Sequence, residues 1–227
     1  MKATRILIQS VFILMPATIV MAFIWAPPDV MIGSASRIMF FHVPLAWVSV
    51  LAFVVSGVLS IMHLAGKSGD ISLRYERAYN SSVIGFVFTM LTVITGSIWA
   101  KMNWGTFWNW DPREISIMII LLIYIAYFSL EAALAGNENR ENIGSSYLIF
   151  SMVTLPFFVF VVPRIRDSLH PQMIINTQMK IDLDDSMKVT LLTALCSFSL
   201  LYCYLFSLMN RILVIRKKTE EHRETSN

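Results

Sequence analysis

The dominant pattern along the chain is a series of apolar blocks, separated by short polar segments. The blocks run at about residues 6–25, 43–64, 81–100, 114–134, 146–163 and 187–209. A helix of roughly 20 residues crosses the hydrocarbon layer of a bilayer, and a helix satisfies its own backbone hydrogen bonds there. The pattern therefore predicts an all-α integral membrane protein with six transmembrane helices. They form a single membrane domain that covers residues 1–227.

The first block is expected to stay in the mature chain as a membrane span. Lys2 and Arg5 precede it, as basic residues precede the apolar part of a signal peptide. However, the apolar run is longer than that of a signal peptide, and Ala26-Pro27-Pro28 is a poor cleavage site.

The distribution of basic residues predicts the orientation. With six spans both termini share one side, which carries eleven basic residues against seven on the other. Cytoplasmic segments carry the excess of Lys and Arg, so both termini are expected in the cytoplasm. The eleven are Lys2, Arg5, Lys67, Arg74, Arg77, Arg140, Arg211, Arg216, Lys217, Lys218 and Arg223, and the seven outer ones are Arg37, Lys101, Arg113, Arg164, Arg166, Lys180 and Lys188.

Composition supports a membrane protein and excludes one class of partner. Hydrophobic residues make up 56% of the 227 residues and charged residues 15%, against about 25% charged in an average soluble protein. The net charge of +3 is too small to indicate a nucleic-acid partner. The cytoplasmic loops 65–80 and 135–145 are short and polar, so the candidate functional residues are all on the outer side.

An outer loop at 101–113 is rich in tryptophan. Trp104, Phe107, Trp108 and Trp110 place four aromatic rings in seven residues, next to Gly105. Such rings form either an interfacial aromatic belt or a platform for a flat apolar molecule, which glycine allows to approach closely. Composition leaves both interpretations open.

The end of this loop carries a helix start signal. Asp111 stands at an N-cap position, Pro112 at the first helical position and Glu114 at the third, which predicts a capping box at the start of the fourth span. Capping is compatible with a second role for Asp111, which is to orient the loop onto a ligand.

Two histidines, His42 and His170, belong to outer segments. His42 opens the second span and His170 lies in the last outer loop. A single interfacial histidine is usually a hydrogen-bonded polar group, but two on the same side as the tryptophan loop are candidate axial ligands of heme iron. Arg113 adjoins that loop and is the first candidate for pairing with a heme propionate. His63 and His222 lie on the cytoplasmic side, about 30 Å away across the membrane.

The string Trp104-Gly105-x-x-Trp108-x-Trp110-Asp111 resembles the WWD signature of heme-handling proteins in cytochrome c biogenesis. With six spans, the chain resembles the heme exporter protein C (CcmC) type. The segment from His42 to Trp47, His-Val-Pro-Leu-Ala-Trp, is similar to that family's second-span start, and Leu169-His170 is similar to its last outer loop. One departure is Val162 to Asp167, where the family usually has tryptophans before the histidine.

The resemblance implies the following site and partners. His42 and His170 would be the axial ligands of heme b, and Trp104, Trp108 and Trp110 would pack on the porphyrin. Heme would be bound at the periplasmic face of a bacterial cytoplasmic (inner) membrane and presented to a periplasmic heme chaperone of the CcmE type, during heme export and delivery for cytochrome c maturation. The other implied partners are ABC transporter subunits of the CcmA and CcmB type and a small membrane subunit of the CcmD type.

Three other functions remain as alternatives. A permease subunit should have charged or broken mid-membrane segments; Pro16 and Pro156 interrupt two spans, but no ionisable residue stands at mid-span. A cytochrome c synthase would be longer, and a structural assembly subunit would use the tryptophans as a protein interface. No Ser/His/Asp arrangement, phosphate loop or zinc-type cluster is present, so the protein is expected not to be an enzyme.

Overall fold

The structure is a computed structural model that describes residues 2–30, 32–66, 71–170 and 183–225. Two residues used to predict orientation, Lys67 and Lys180, and the Lys2 side chain lie outside the described residues. Six segments of the described chain are helical and are long and apolar enough to cross a membrane, which confirms the predicted number of spans. They are Thr4–Trp25, Ser34–Leu64, Ile71–Trp104, Pro112–Ala133, Arg140–Ile165 and Asp185–Thr225.

Several of these segments combine more than one kind of helix. Prolines and π turns interrupt the regular hydrogen bonding near the ends of the first and fifth segments, as is usual for such breaks. The first segment consists of α1 (Lys2–Val20) and a π turn (Met21–Trp25), and the second consists of a 3-10 turn (Ser34–Ile38) and α2 (Met39–Leu64). The third and fourth are α3 (Ile71–Trp104) and α4 (Pro112–Ala133). The fifth consists of α5 (Arg140–Pro156), a π turn (Phe157–Val161) and the short α6 (Val162–Ile165), and the sixth is α7 (Asp185–Thr225).

Two helices extend well beyond their predicted spans. Helix α3 begins at Ile71 rather than near residue 81, and α7 continues to Thr225 rather than ending near residue 209. Hydropathy detects only the apolar part of a helix. Polar residues extend the helix where their side chains contact water or a neighbouring helix. Lys217 shows this, because its Nζ donates to the Ser72 hydroxyl across 3.4 Å.

Successive spanning helices run in opposite directions. His42 at the start of α2 contacts Thr95 near the end of α3, and Tyr75 at the start of α3 contacts Glu131 at the end of α4. The bundle therefore has a tryptophan end, which carries the loop 101–113, and a tail end, which carries the C-terminal part of α7.

Helix α2 lies at the centre of the bundle and packs against α3, α5 and α7. Small residues allow these close approaches, as they do in other membrane proteins. A Cβ on Gly57 would collide with Met152 of α5. Buried hydroxyl groups remain hydrogen-bonded: the Ser56 hydroxyl donates to the Ala52 and Ala78 carbonyls across 2.8 and 3.1 Å.

A buried carboxylate at the tail end joins three helices. Glu131 of α4 is 5% exposed, and its Oε2 accepts hydrogen bonds from the Tyr75 hydroxyl of α3 at 2.5 Å and from Nε of Arg140, at the start of α5, at 2.9 Å. A Cβ on Gly144 would collide with the Glu131 carboxylate. These contacts hold α3, α4 and α5 together at the end of the bundle where the short polar loops gave no sign of such a centre.

Candidate functional site

The loop after α3 has a tightly held backbone. Gly105 adopts a φ of +82° that favours glycine, and its carbonyl accepts a hydrogen bond from the Lys101 ammonium at 2.7 Å. Trp110 has a φ of +58°, the one positive value at a non-glycine position within the described residues. A side chain in this region costs about 1–3 kcal/mol and persists only where surrounding contacts enforce it. The exposed Trp110 indole is therefore positioned by the fold of the loop.

The predicted capping box at the start of α4 is confirmed. The Asp111 carboxylate accepts from the Arg113 amide at 2.9 Å, and the Glu114 carboxylate accepts from the Asp111 amide at 3.2 Å. Glu114 Oε2 also accepts from the Asn109 amide at 2.7 Å, which fixes the preceding loop residues.

Asp111 has a second set of contacts, to the loop that carries His170. Its carboxylate accepts hydrogen bonds from the Leu169 amide at 2.7 Å, from the Ser168 hydroxyl at 2.9 Å and from Nδ1 of His170 at 2.9 Å. The side chain of Asp111 is fully buried. One carboxylate thus joins the tryptophan loop to the histidine loop, 59 residues further along the chain.

These contacts determine which nitrogen of His170 is available. Burial alone would raise the pKa of Asp111, but hydrogen bonds from Arg113, Leu169 and Ser168 and the charge of His170 hold this pKa below its ordinary value. Burial lowers the pKa of His170, although Asp111 opposes that effect. A neutral imidazole that donates from Nδ1 to a carboxylate carries its lone pair on Nε2, the usual arrangement for a histidine that ligates a metal.

Two tryptophans hold the His170 ring. Trp99 of α3 stacks on it with centroids 5.6 Å apart and an interplanar angle of 24°. Trp104 meets it edge-on at 5.0 Å, and the two indoles contact each other at 4.9 Å. Both tryptophans that pack on His170 within the described residues therefore come from α3, whereas residues 162–167 contain none.

His42 is held against the same helix one turn earlier. Its Nδ1 lies 3.0 Å from the Thr95 hydroxyl oxygen, and that hydroxyl donates its own proton to the Leu91 carbonyl at 2.8 Å. The hydroxyl is therefore left to accept from Nδ1–H, and Nε2 of His42 carries the lone pair. A Cβ on Gly96 would approach His42 Cε1 to 2.9 Å, so the ring occupies space that only glycine leaves open.

The two candidate ligands are brought to one place by α3. His42 contacts Thr95 and Gly96, and His170 stacks on Trp99, which is one turn further along. The two imidazoles are close enough to interact electrostatically. Both rings also use Nδ1 for a hydrogen bond, so Nε2 of each ring is the nitrogen available to a ligand within the part of the chain that the structure describes.

The remaining predicted site residues fall into separate groups in the described structure. Trp108 and Trp110 contact each other edge-on at 5.9 Å, and Trp110 is 68% exposed, while Trp104 packs on His170 instead. The Arg113 guanidinium is exposed and makes no ion pair within the described residues, and it experiences the charges of Asp111 and Arg164.

The other two histidines are elsewhere. His63 is on α2, 21 residues after His42, which is about 32 Å along a helix. It is buried at the tail end, with Nδ1 2.9 Å from the Ile71 carbonyl oxygen. His222 is exposed on the last turns of α7.

Several residues of the site have no obvious sequence signal. Thr95, Gly96 and Ser168 are ordinary residues in an apolar helix and a polar loop, and their contacts to histidine depend on which helices are neighbours. Trp99 carries a weak signal, because it stands five residues before Trp104 in the same run of aromatic residues.

The fold and the site together define a class of protein: a six-helix membrane protein in which two histidines and a tryptophan loop meet at one end of the bundle. Comparison with known proteins gives the family. The family model for heme exporter protein C (CcmC) matches residues 1–225, so the chain belongs to the CcmC family.

Individual relatives agree. Heme exporter protein C of Bradyrhizobium diazoefficiens is 30% identical over 203 residues, which cover 88% of this chain and 76% of that protein. A cytochrome c biosynthesis ccmC-like mitochondrial protein of Marchantia polymorpha is 31% identical over 193 residues, 85% of this chain and 80% of that protein. Heme exporter protein C of Escherichia coli K12 is 28% identical over 196 residues, 86% of this chain and 77% of that protein.

Proposed function

We propose that this protein binds heme b at the periplasmic face of the bacterial inner membrane and presents it to a periplasmic heme chaperone during cytochrome c maturation. His42 and His170 supply the axial ligands from opposite faces of the porphyrin. Both termini are cytoplasmic. The protein acts as a holder and presenter of heme and is not an enzyme.

The observation that carries this proposal is the hydrogen bond from His170 Nδ1 to the Asp111 carboxylate. Histidines that ligate metals usually donate their other nitrogen to a carboxylate or a carbonyl, which fixes the tautomer and the ring orientation. His42 has a comparable hydroxyl acceptor in Thr95. Two partly buried histidines with purely structural roles would not require an available Nε2 on each ring at one end of the bundle.

The tryptophan loop supplies the surface for the porphyrin. Trp110 and Phe107 are 68% and 59% exposed, and exposed aromatic rings next to Gly105, which has no side chain to block a close approach, suit a flat apolar ligand. Trp104 and Trp108 would bound the site on the sides nearest His170 and Trp110. Arg113 would meet a propionate, because Arg matches a carboxylate with two parallel hydrogen bonds.

The proposed partners follow from family membership. Heme held at a shallow, open site can be taken by a chaperone of the CcmE type. ABC transporter subunits of the CcmA and CcmB type, and a small membrane subunit of the CcmD type, would complete the assembly in the bilayer.

A permease role is the second candidate function. The observation in its favour is the buried Glu131, which pairs with Arg140, because ionisable residues inside membrane helices mark transport paths in other proteins.

A visible spectrum of the purified protein tests the proposal. We expect wild-type protein to carry a Soret band, and His42→Ala and His170→Ala to lose most of it. Added imidazole should restore the band in each single variant, because it replaces the missing ligand. Full heme content with an unchanged spectrum in the double variant would show that these histidines are not the ligands.

Three further measurements separate the competing roles. Trp108→Ala should weaken heme retention without changing the spectral features of the bound iron, whereas loss of the protein from the membrane would indicate an interfacial belt. Reporter fusions after residues 42 and 170 should both report the periplasm. Transport of heme into sealed vesicles that contain only this chain would favour the permease role.

A further inference from the structure

The C-terminal part of α7, from Leu208 onward, has a strongly patterned surface. Leu208, Ile212 and Ile215 follow each other at intervals of four and three residues, so they form one apolar stripe along the helix. They are 37%, 58% and 62% exposed. Lys217 stands about two and a half turns after Leu208 and so points to the opposite side. Its contact with Ser72 shows that the opposite side faces α3 and that the stripe faces away from the bundle.

Basic residues border the stripe on both sides. Arg211 and Lys218 are seven residues apart and lie along one edge, and Arg216 lies along the other. All three are exposed. The acidic residues of this region are on the other half of the helix, at Glu220, Glu221 and Glu224. The face is therefore apolar in the middle and positively charged at both edges.

These charges are available for a ligand. Within the described residues Arg211 and Lys218 form no ion pair. Arg216 pairs with Glu220 at 2.9 Å, but both side chains are more than half exposed, and exposed pairs of this kind are weak. The pair uses Nε of Arg216, and the terminal nitrogens of the guanidinium remain open. The carboxylate of Glu76 also interacts electrostatically with Arg216.

The helix also has the right length to place this face at a membrane surface. Asp185 begins α7 at the tryptophan end. Arg211 is about 39 Å further along the helix and Lys218 about 50 Å, and a bilayer with its headgroups is about 40–45 Å thick. Arg211 therefore stands at the depth of the headgroups on the tail side, and Leu208, nearly one turn before it, stands at the boundary of the acyl chains. Arg216 and Lys218 stand just outside the headgroup layer, and their long side chains extend back to it.

We propose that this face of α7 is a binding site for anionic phospholipids, with Arg211, Arg216 and Lys218 contacting the headgroups and the Leu208 end of the apolar stripe contacting the acyl chains. Phosphate groups accept charge-assisted hydrogen bonds from Arg and Lys. Basic residues next to a spanning helix attract anionic leaflets in general, and here the helix geometry assigns particular residues to the contact.

Native mass spectrometry of the full-length protein in detergent tests this site, with phosphatidylglycerol and phosphatidylcholine as probes. We expect wild-type protein to retain phosphatidylglycerol in preference to phosphatidylcholine. Replacing all three basic residues (Arg211→Gln, Arg216→Gln, Lys218→Gln) should weaken phosphatidylglycerol binding by about fivefold per cation, on the order of a hundredfold in total. The variant Arg211→Lys with Arg216→Lys should keep the preference, because it keeps the charge.

A matched control removes the same charge elsewhere on the same side of the membrane. Arg5→Gln, Arg77→Gln and Lys217→Gln together should leave the lipid preference within about twofold of wild type, because they remove the same charge without removing the contacts at the face. Equal binding of the two lipids by wild-type protein would overturn the proposal, as would equal phosphatidylglycerol binding by wild type and the triple glutamine variant. If that variant does not fold, the salt dependence of wild-type binding is the test. The preference for phosphatidylglycerol over phosphatidylcholine should fall as the sodium chloride concentration is raised, and a preference that does not depend on salt would reject the site.

Discussion

Replacing Asp111 with asparagine separates its two roles, because asparagine also caps helices. The amide oxygen can still accept from the Arg113 backbone, so α4 should begin normally. The asparagine NH2 group is a donor, and it would face the Ser168 hydroxyl and His170 Nδ1, which also donate at this position. We expect the His170 ring to lose its fixed tautomer and orientation.

The magnitude follows from the contacts. A hydrogen bond to a charged group contributes about 1.5–3 kcal/mol, against about 0.5–1.5 kcal/mol for a neutral pair, and Asp111→Asn converts a buried charged acceptor into a neutral one. Loss of an outer partner of a metal-binding histidine typically lowers affinity 10–100-fold. We therefore expect heme affinity to fall by about 10–100-fold in Asp111→Asn.

Heme titration of purified, heme-depleted protein measures this change, with absorbance at the Soret band as the signal. Glu114→Gln is the matched control. Glu114 accepts hydrogen bonds from the Asn109 and Asp111 amides but has no hydrogen bond to His170 in the described structure, and glutamine also serves in capping boxes. Its heme affinity should stay near the wild-type value.

Two results would refute this reasoning. Wild-type heme affinity in Asp111→Asn would show that the contact with His170 does not position a ligand. Equal losses in Asp111→Asn and Glu114→Gln would show that only the folding of the loop matters. Added imidazole gives a further check, since it should restore the spectrum of Asp111→Asn if His170 is the weakened ligand.

Two further predictions concern the second histidine and the far end of the bundle. Thr95→Val removes the hydroxyl that accepts from His42 and should weaken heme binding several-fold, whereas Thr95→Ser should bind heme as wild type; equal titrations of the two variants would contradict the role of the hydroxyl. Tyr75→Phe removes a hydrogen bond to the buried Glu131 carboxylate and should lower the free energy of unfolding by about 1.5–3 kcal/mol, measured by denaturant titration. Tyr79→Phe is its control, and a loss of equal size there would count against the Glu131 contact.

The aromatic packing around His170 shows where pattern and structure differ. The run of tryptophans predicts an aromatic surface, and Trp108 and Trp110 do lie in the exposed loop. Trp104 and Trp99 instead enclose the histidine. Both uses of an indole ring are compatible with the same local sequence, so only the position of the loop at 168–170 distinguishes them.

Glu131 shows the same limit within a helix. Its position in an apolar run near the end of α4 is visible in the sequence, but its partners are not. Tyr75 precedes it by 56 residues, and Arg140 follows it by nine in the next helix. Which side chain neutralises a buried charge depends on the rotation of each helix in the bundle, and hydropathy does not report rotation.

The sequence by itself determined the number of spanning helices, the capping box at Asp111 and the candidate ligands, because these depend on hydrophobic length and on local hydrogen bonding between residues close along the chain. The tertiary structure alone decided that Asp111 also contacts His170 and that Thr95 and Gly96 contact His42. It also decided that Lys217 contacts α3, so that the apolar stripe on the opposite side of α7 faces away from the bundle. Each of these contacts joins residues of different helices or loops. Their geometry is fixed only when the helices pack in one particular order and rotation.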